Sequence, residues 1–250
     1  MNGVEGTGGK SALGIGLVIA LVLLAAIAGW FAERVLAGPG ARDRAAIEDV
    51  VREYILANPE IIPEAMDNLR RKESRASLGA IRDEVERPFP GAILGNPQGK
   101  VTLVEFTDFA CGFCRRSMED VEALIAENPD LKVVIRELPI LSPQSAEAAR
   151  MGLAAAEQGK YAAFHRAMFE AGQPDPAAIE AAARTAGLDI DRARKTAKTP
   201  RVEQELASNV DLAGKLGFSG TPSWVVGDEV ITGAVGREAL AEAIETARGG

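Results

Sequence analysis

An uncharged apolar run opens the chain, and amphipathic rows follow it. Residues 12–32 read ALGIGLVIALVLLAAIAGWFA, without a single charge, which is enough to cross a hydrocarbon core as a helix. Lys10 precedes the run, Glu33 and Arg34 follow it, and Trp30 and Phe31 suit a membrane–water boundary. The pattern predicts an uncleaved signal anchor over 12–32, with a cytoplasmic tail over 1–11 and a linker over 33–41 carrying Gly38-Pro39-Gly40. Cleavage after Ala26-Ile27-Ala28 is the alternative, but the run is longer than a usual signal h-region and continues past that site. A buried core helix fits less well, since no amphipathic stripe is present. Basic residues lie on both sides (Lys10 before; Arg34, Arg42 and Arg44 after), so charge alone does not orient the span.

Residues 42–90 form a second region. Ile47, Val50, Val51, Tyr54 and Ile55 fall at helical spacing. Asn58-Pro59-Glu60 breaks that helix and opens another, with Ile61, Ile62, Ala65, Met66 and Leu69 on one side. A charged stretch, 70–87, follows and Pro88 and Pro90 close the region. Two short helices with narrow stripes bury little alone. They dock on the next domain or pair with copies of themselves, and the isolated position favours a stalk that self-associates.

The pattern changes near Gly91. Residues 100–106 (KVTLVEF) read as a buried strand, 111–127 as a helix and 131–137 (LKVVIRE) as a second strand. Strand–helix–strand with a short return implies parallel neighbours. From about 142 to 216 the pattern is helical, interrupted at Gly172-Gln173-Pro174, Gly187 and Thr199-Pro200. A hairpin turning at Gly227-Asp228 spans 223–232, and a helix over 236–247 ends the chain. The expected fold of 91–250 is therefore α/β, a small central sheet with a helical insertion.

Composition narrows the chemistry. The formal net charge is −8, aromatic residues make up 5%, and no Lys/Arg stripe interleaves with aromatics; nucleic acid is not an expected partner. Cys111 and Cys114 are the two cysteines and His165 the one histidine. A secreted scaffold stapled by disulfides would carry more cysteines at wider spacing, and a structural zinc site needs four ligands. Cu(I) held by two thiolates and an inert pair stay open.

A Cys-x-x-Cys between a strand and a helix has a specific use. The first thiol lies at the helix N-terminus, where unpaired N–H groups and the macrodipole favour negative charge, so its pKa falls. The second lies one turn inside. Thiolate attack gives a mixed disulfide, and the second cysteine resolves it. No cofactor beyond a redox-active Cys111–Cys114 disulfide is called for. Trp224, Phe109 and His165 read as packing residues; an exposed Phe109 would alternatively help hold unfolded substrate.

The stretch from Val104 to Cys114, VEFTDFACGFC, resembles the active-site strand and helix start of the DsbA-like thioredoxin family. Gly220-Thr221-Pro222 resembles that family's cis-proline loop, and the helical excess between Cys111 and Pro222 matches its insertion. The resemblance covers about 91–250 and implies a thioredoxin fold. It implies that Pro222 is cis beside the disulfide, where a plain turn proline would be trans, and that Thr221 lines a substrate groove. It also implies that Glu105 is a buried acid relaying the Cys114 proton, rather than a surface residue. Gly112-Phe113 departs from the family's oxidase pattern, which has a histidine in place of Phe113. It is closer to the isomerase dipeptide Gly-Tyr, and Thr221 also falls on the isomerase side. Residues 47–69 resemble the N-terminal region of the suppressor-of-copper-sensitivity ScsC proteins, some of which trimerise there.

The expected function is envelope thiol–disulfide exchange, as isomerase or oxidase, with a Cu(I)-handling module as the alternative. The expected partners are misfolded exported proteins with cysteines, a membrane redox protein, the inner membrane through 12–32, and further copies through 42–90. The expected location is the bacterial inner membrane with the C-terminal domain in the periplasm, or the periplasm itself after cleavage.

Overall fold

The computed structural model describes residues 10–36 and 41–249. Residues 1–9 of the expected tail and the Gly38-Pro39-Gly40 linker lie outside the described residues. The chain divides into two compact units, residues 1–65 and 66–250.

In the first unit, α1 (Lys10–Leu36) carries the uncharged run as one helix. Side chains are described there only for residues 18–33, fewer than the roughly 20 apolar positions a span needs. Among the described residues no helix is long and apolar enough to cross a membrane, so the expected anchor is not shown. Helix α2 (Ala41–Ala57) carries the first amphipathic row. The Asn58 N–H and its side-chain amide both donate to the Tyr54 carbonyl at 2.9 Å, closing the helix. After the break at Pro59 and Glu60, α3 (Ile61–Glu86) begins. Ile47, Val50, Val51, Tyr54, Leu56 and Ile62 stay exposed, so the apolar row is uncovered among the described residues.

In the second unit α3 runs through the whole charged stretch to Glu86. Its buried residues Leu78 and Val85, with Ile81 half-buried, are spaced three and four apart, a single stripe hidden among charges. That stripe belongs to the domain core, so the core draws on residues before Gly91. Arg136 fixes the helix end. Its buried guanidinium donates to the carbonyls of Glu84, Val85 and Arg87 and pairs with Glu205 at 2.7 Å. A helix C-terminus leaves carbonyls unpaired, and a cation there satisfies them.

Five strands form one sheet in the order β1-β3-β2-β4-β5. They are β1 (Ile93–Gly95), β2 (Val101–Thr107), β3 (Leu131–Glu137), β4 (Ser223–Val226) and β5 (Glu229–Thr232). β2 runs parallel to β3 and antiparallel to β4; β1 and β5 are antiparallel edges. β1 is too short for its period to register in the sequence. Both faces of β2 are covered, which explains its almost unbroken apolar run. On one face Leu103, Val133, Ile135 and Trp224 pack against Val121 and Leu124 of α4 (Gly112–Glu127) and Leu240 and Ile244 of α10 (Arg237–Gly249). On the other, Val104, Phe106 and Val134 meet the α3 stripe and Leu212 of α9 (Pro200–Lys215).

The expected insertion is α5 (Pro143–Glu157), α6 (Tyr161–Ala171), α7 (Pro176–Thr185), α8 (Ile190–Thr196) and α9. Ser142, Asp175 and Asp189 cap α5, α7 and α8 through their side-chain oxygens. Phe164, Met168, Phe169, Ile179 and Leu188 give the insertion its own core, and Phe109, Cys111 and Cys114 are part of it. The two cysteines therefore sit where the sheet and the insertion meet.

Candidate active site

Strand β2 ends at Thr107, and four residues later Cys111 caps α4. Its backbone is extended (φ −80°, ψ 115°), and its sulfur accepts the Cys114 N–H at 3.4 Å. A thiolate at this position does what a capping oxygen does, meeting an N–H that has no partner in the helix. Both cysteines are free thiols. Cys111 keeps 5% of its surface exposed and Cys114 none. Thr221-Pro222 is a cis peptide, as the resemblance implies, and the Cys111 thiol donates to the Thr221 carbonyl at 3.2 Å. The Thr221 hydroxyl is buried with no partner of its own.

These surroundings separate the two thiols. The Cys111 pKa falls to about 5, chiefly because the Cys114 side chain hydrogen-bonds its sulfur, with further help from Thr221 and the Cys114 and Phe113 amides. Burial drives the Cys114 thiol far above its ordinary value, and the neighbouring Cys111 sulfur and Glu105 push the same way. Glu105, on β2 opposite Trp224 and Ile135, is fully enclosed. Burial raises its carboxyl to about 8, and the Cys111 charge adds to the rise.

The remaining expected residues surround the thiol. Gly112 leaves space beside Cys111, since a Cβ there would meet only the Arg116 guanidinium at 3.8 Å. Phe113 is 57% exposed, with the Arg116 guanidinium 4.3 Å from its ring centre. Phe109 is buried against Phe164, Phe169 and His165, so it packs and does not face substrate. Trp224 is buried too, its indole N–H donating to the Gly233 carbonyl at 2.9 Å. His165 packs among Phe109, Tyr161 and Phe169. Burial lowers its pKa to about 3, so the ring stays neutral. Among the described residues no three His, Cys, Asp or Glu side chains gather as a metal site.

A family model described as the DSBA-like thioredoxin domain matches residues 102–245, more than half of the chain. The chain belongs to this family. A second model, the copper resistance protein ScsC N-terminal domain, matches residues 43–76. A thioredoxin-like oxidoreductase from Silicibacter pomeroyi DSS-3 is 41% identical, covering 68% of this chain and 98% of its own, with a TM-score of 0.65. A linker-deletion mutant of Proteus mirabilis ScsC is 27% identical, covering 85% of this chain and 98% of its own, with a TM-score of 0.66. Among curated proteins, the Na(+)/H(+) antiporter NhaA 3 of Salinispora tropica is 31% identical over 185 residues, 70% of this chain. The chain spans 28% of that antiporter's length.

The DSBA-like domain holds four buried residues that the sequence did not single out. Glu137, at the end of β3, is fully buried and accepts the Tyr161 hydroxyl at 2.6 Å. Burial holds its carboxyl well above the usual range. Gly152 makes room for it, since a Cβ there would lie 3.1 Å from the Glu137 carboxyl oxygen. An acid at the end of an apolar strand reads in sequence like a solvent-facing terminus, which is why Glu137 and its partner Tyr161 carry no signal. Asp108, inside the quoted motif, is buried with its carboxylate fully engaged.

Proposed function

We propose that this chain is an envelope thiol–disulfide interchange protein acting on cysteines of exported polypeptides, with Cys111 attacking and Cys114 resolving. The observation that carries this reading is the asymmetry of the pair: Cys111 caps α4 with its sulfur on the Cys114 N–H beside the cis Thr221-Pro222 peptide, its pKa lowered to about 5, while Cys114 is fully buried and its thiol is raised. At neutral pH one sulfur is a ready nucleophile and the other waits.

The Cys111 thiolate bonds to one sulfur of a client disulfide, and the other client sulfur leaves as a thiolate that takes a proton from water. Cys111 has then lost its charge. That charge contributed to raising Glu105, and the Cys111 sulfur raised Cys114 through its hydrogen bond, so both pKa values fall once the mixed disulfide forms, while burial, the largest cause of each rise, stays. Glu105 releases its own proton to water and in its ionised form accepts the Cys114 proton, which the departing client sulfur then takes up. The Cys114 thiolate attacks the Cys111 sulfur, the client leaves as a thiol, and Cys111–Cys114 is the new disulfide. When a thiolate of the client attacks first, its disulfide is rearranged and the dithiol returns.

Isomerisation is the favoured direction. Phe113 offers no imidazole to stabilise the thiolate further, and Thr221 precedes the proline, so oxidation is driven less strongly than in the family's oxidase pattern. A membrane redox protein would then keep the dithiol reduced. Gly112 and Pro222 serve by leaving the sulfur open and presenting backbone to the client. The Cu(I) alternative needs two thiolates, and the raised Cys114 thiol opposes the second.

Two further features support an envelope setting. The uncharged run 12–32 lies within the single helix α1, and at 1.5 Å per residue it would extend about 31 Å, the thickness of a hydrocarbon core. An inner-membrane anchor with the catalytic unit in the periplasm fits this. The uncovered row Ile47, Val50, Val51 and Tyr54, together with the ScsC N-terminal match, supports assembly of several copies through the stalk region. Several thiols facing one client would raise their effective concentration on it.

Reactivation of scrambled ribonuclease by the full chain in detergent tests the proposal. Reactivation that disappears in Cys111→Ser supports isomerisation. Rapid oxidation of reduced ribonuclease with no reactivation assigns the oxidase direction, and neither activity removes the reading.

A further inference from the structure

Thr107 ends β2 with a hydroxyl that the fold does not use. The residue is fully buried, and its side-chain oxygen has no hydrogen-bond partner among the described residues. Its main-chain oxygen is engaged separately, accepting the Leu138 N–H at 2.7 Å. Burying a hydroxyl without a partner is costly, and valine would fill the same space without that cost. A threonine here is a loss for stability, and orphaned polar groups of this kind collect where chemistry is done.

Its position says which chemistry. Side chains alternate along a strand, so Thr107, Glu105 and Leu103 lie on one face of β2. Leu103 packs in the same core cluster as Val121 and Leu124 of α4, and Cys114 is buried in the first turn of that helix. The Cys114 sulfur is turned to the Asp108 N–H and the Thr107 hydroxyl, each favouring its ionised form, and the same hydroxyl favours ionised Glu105. In the resting dithiol neither group is within hydrogen-bond distance of that hydroxyl, so it is not committed to either. A hydroxyl both donates and accepts, which suits a place between a thiol and a carboxyl.

We propose that the Thr107 hydroxyl bridges Cys114 and Glu105 and passes the proton between them in the resolving step. Once Glu105 is ionised, the Thr107 oxygen takes the Cys114 proton while its own proton moves to the Glu105 carboxylate. An S–H and an O–H bond break, a new O–H bond forms on each oxygen, and Cys114 is left as the attacking thiolate. The inference rests on the thiol-exchange reading and adds a residue to its second step. The rival acceptor is Glu137, opposite Thr107 in the β2–β3 register, which holds the Tyr161 hydroxyl instead.

The test mixes the reduced full-length chain in detergent with oxidised glutathione, quenches with acid and follows the glutathione mixed disulfide by mass spectrometry. Thr107→Val is expected to prolong that intermediate about tenfold, roughly the worth of one hydrogen bond. Thr107→Ser keeps the hydroxyl and is expected to restore the wild-type lifetime. Urea unfolding is expected to show the valine variant at least as stable as wild type. In a Glu105→Gln background the same valine is expected to add nothing. An unchanged lifetime in Thr107→Val, a loss that serine does not rescue, or an equal slowing of Cys111 alkylation overturns the inference while leaving exchange intact. So does a valine variant that is destabilised or fails to fold, because the hydroxyl then serves the fold. A full slowing by valine in the Glu105→Gln background overturns Glu105 as the acceptor. A wild type that forms no mixed disulfide overturns the exchange reading, and this inference with it.

Discussion

The sulfur of Cys111 lies 3.2 Å from the main-chain oxygen of Thr221, a residue 110 positions later in sequence. The contact suits the thiol, which donates to that oxygen. On ionisation the donor is gone, and the Thr221 hydroxyl, buried without another partner, is free to turn to the thiolate. Thr221→Val keeps the shape and removes the hydroxyl. It is expected to raise the Cys111 pKa above about 5, seen as a shift in the pH dependence of thiolate ultraviolet absorbance. An unmoved midpoint would show that the amides and Cys114 suffice.

Glu105 links chemistry to stability. In the fold it holds its proton up to about pH 8, against 4.5 as the ordinary value. Between those values the folded state binds more protons than the unfolded chain, so this carboxyl makes stability fall as pH rises. Glu105→Gln is expected to flatten that fall and to leave the reduced protein more stable than its parent at pH 8, measured by urea unfolding at pH 5 and 8. The same variant is expected to accumulate mixed disulfide with client, because Cys114 has lost its proton acceptor.

Much of this was legible in sequence for a physical reason. A Cys-x-x-Cys after an apolar strand fixes a helix start, and a helix start fixes which sulfur ionises. The strands 131–137 and 223–232 and the interruptions at Gly172, Gly187 and Pro200 all mark element ends in the structure. What stayed hidden depends on contacts between distant segments. Leu78, Ile81 and Val85 join the core from inside a charged stretch, where their period is masked by neighbours of both signs. Asp108 stands in the motif, but its carboxylate partners appear only once the chain after β3 brings the Ile140 and Leu141 N–H groups beside it. Glu137 gains meaning only from Tyr161 and from the absent side chain of Gly152.

Tyr161→Phe tests that interior pair. It leaves the Glu137 oxygens without their hydroxyl donor in a fully enclosed place. The expected cost is about 1–3 kcal/mol of unfolding free energy, read from denaturant titration, with Cys111 ionisation moving little. A neutral substitution would mean that the buried carboxyl is satisfied without the phenol.

The stalk row tests assembly. Val51→Lys with Tyr54→Lys puts two cations on the exposed stripe of α2. Sedimentation of the full chain in detergent is expected to give a multimer for the parent and a monomer for the variant. A monomeric parent would rule out assembly through α2, and several thiols would then not share one client.

In the proposed mechanism Cys111 reacts as a thiolate while Cys114 remains a protonated thiol. Limited alkylation of the reduced chain at a pH between the value of about 5 for Cys111 and the roughly 8.5 of a free thiol, followed by mass spectrometry of peptides, tests this most directly. The expected result is rapid modification confined to Cys111, with a rate that plateaus above about pH 6, one unit past its midpoint. A Cys111 rate still rising through pH 8 would contradict it, as would equal labelling of both sulfurs.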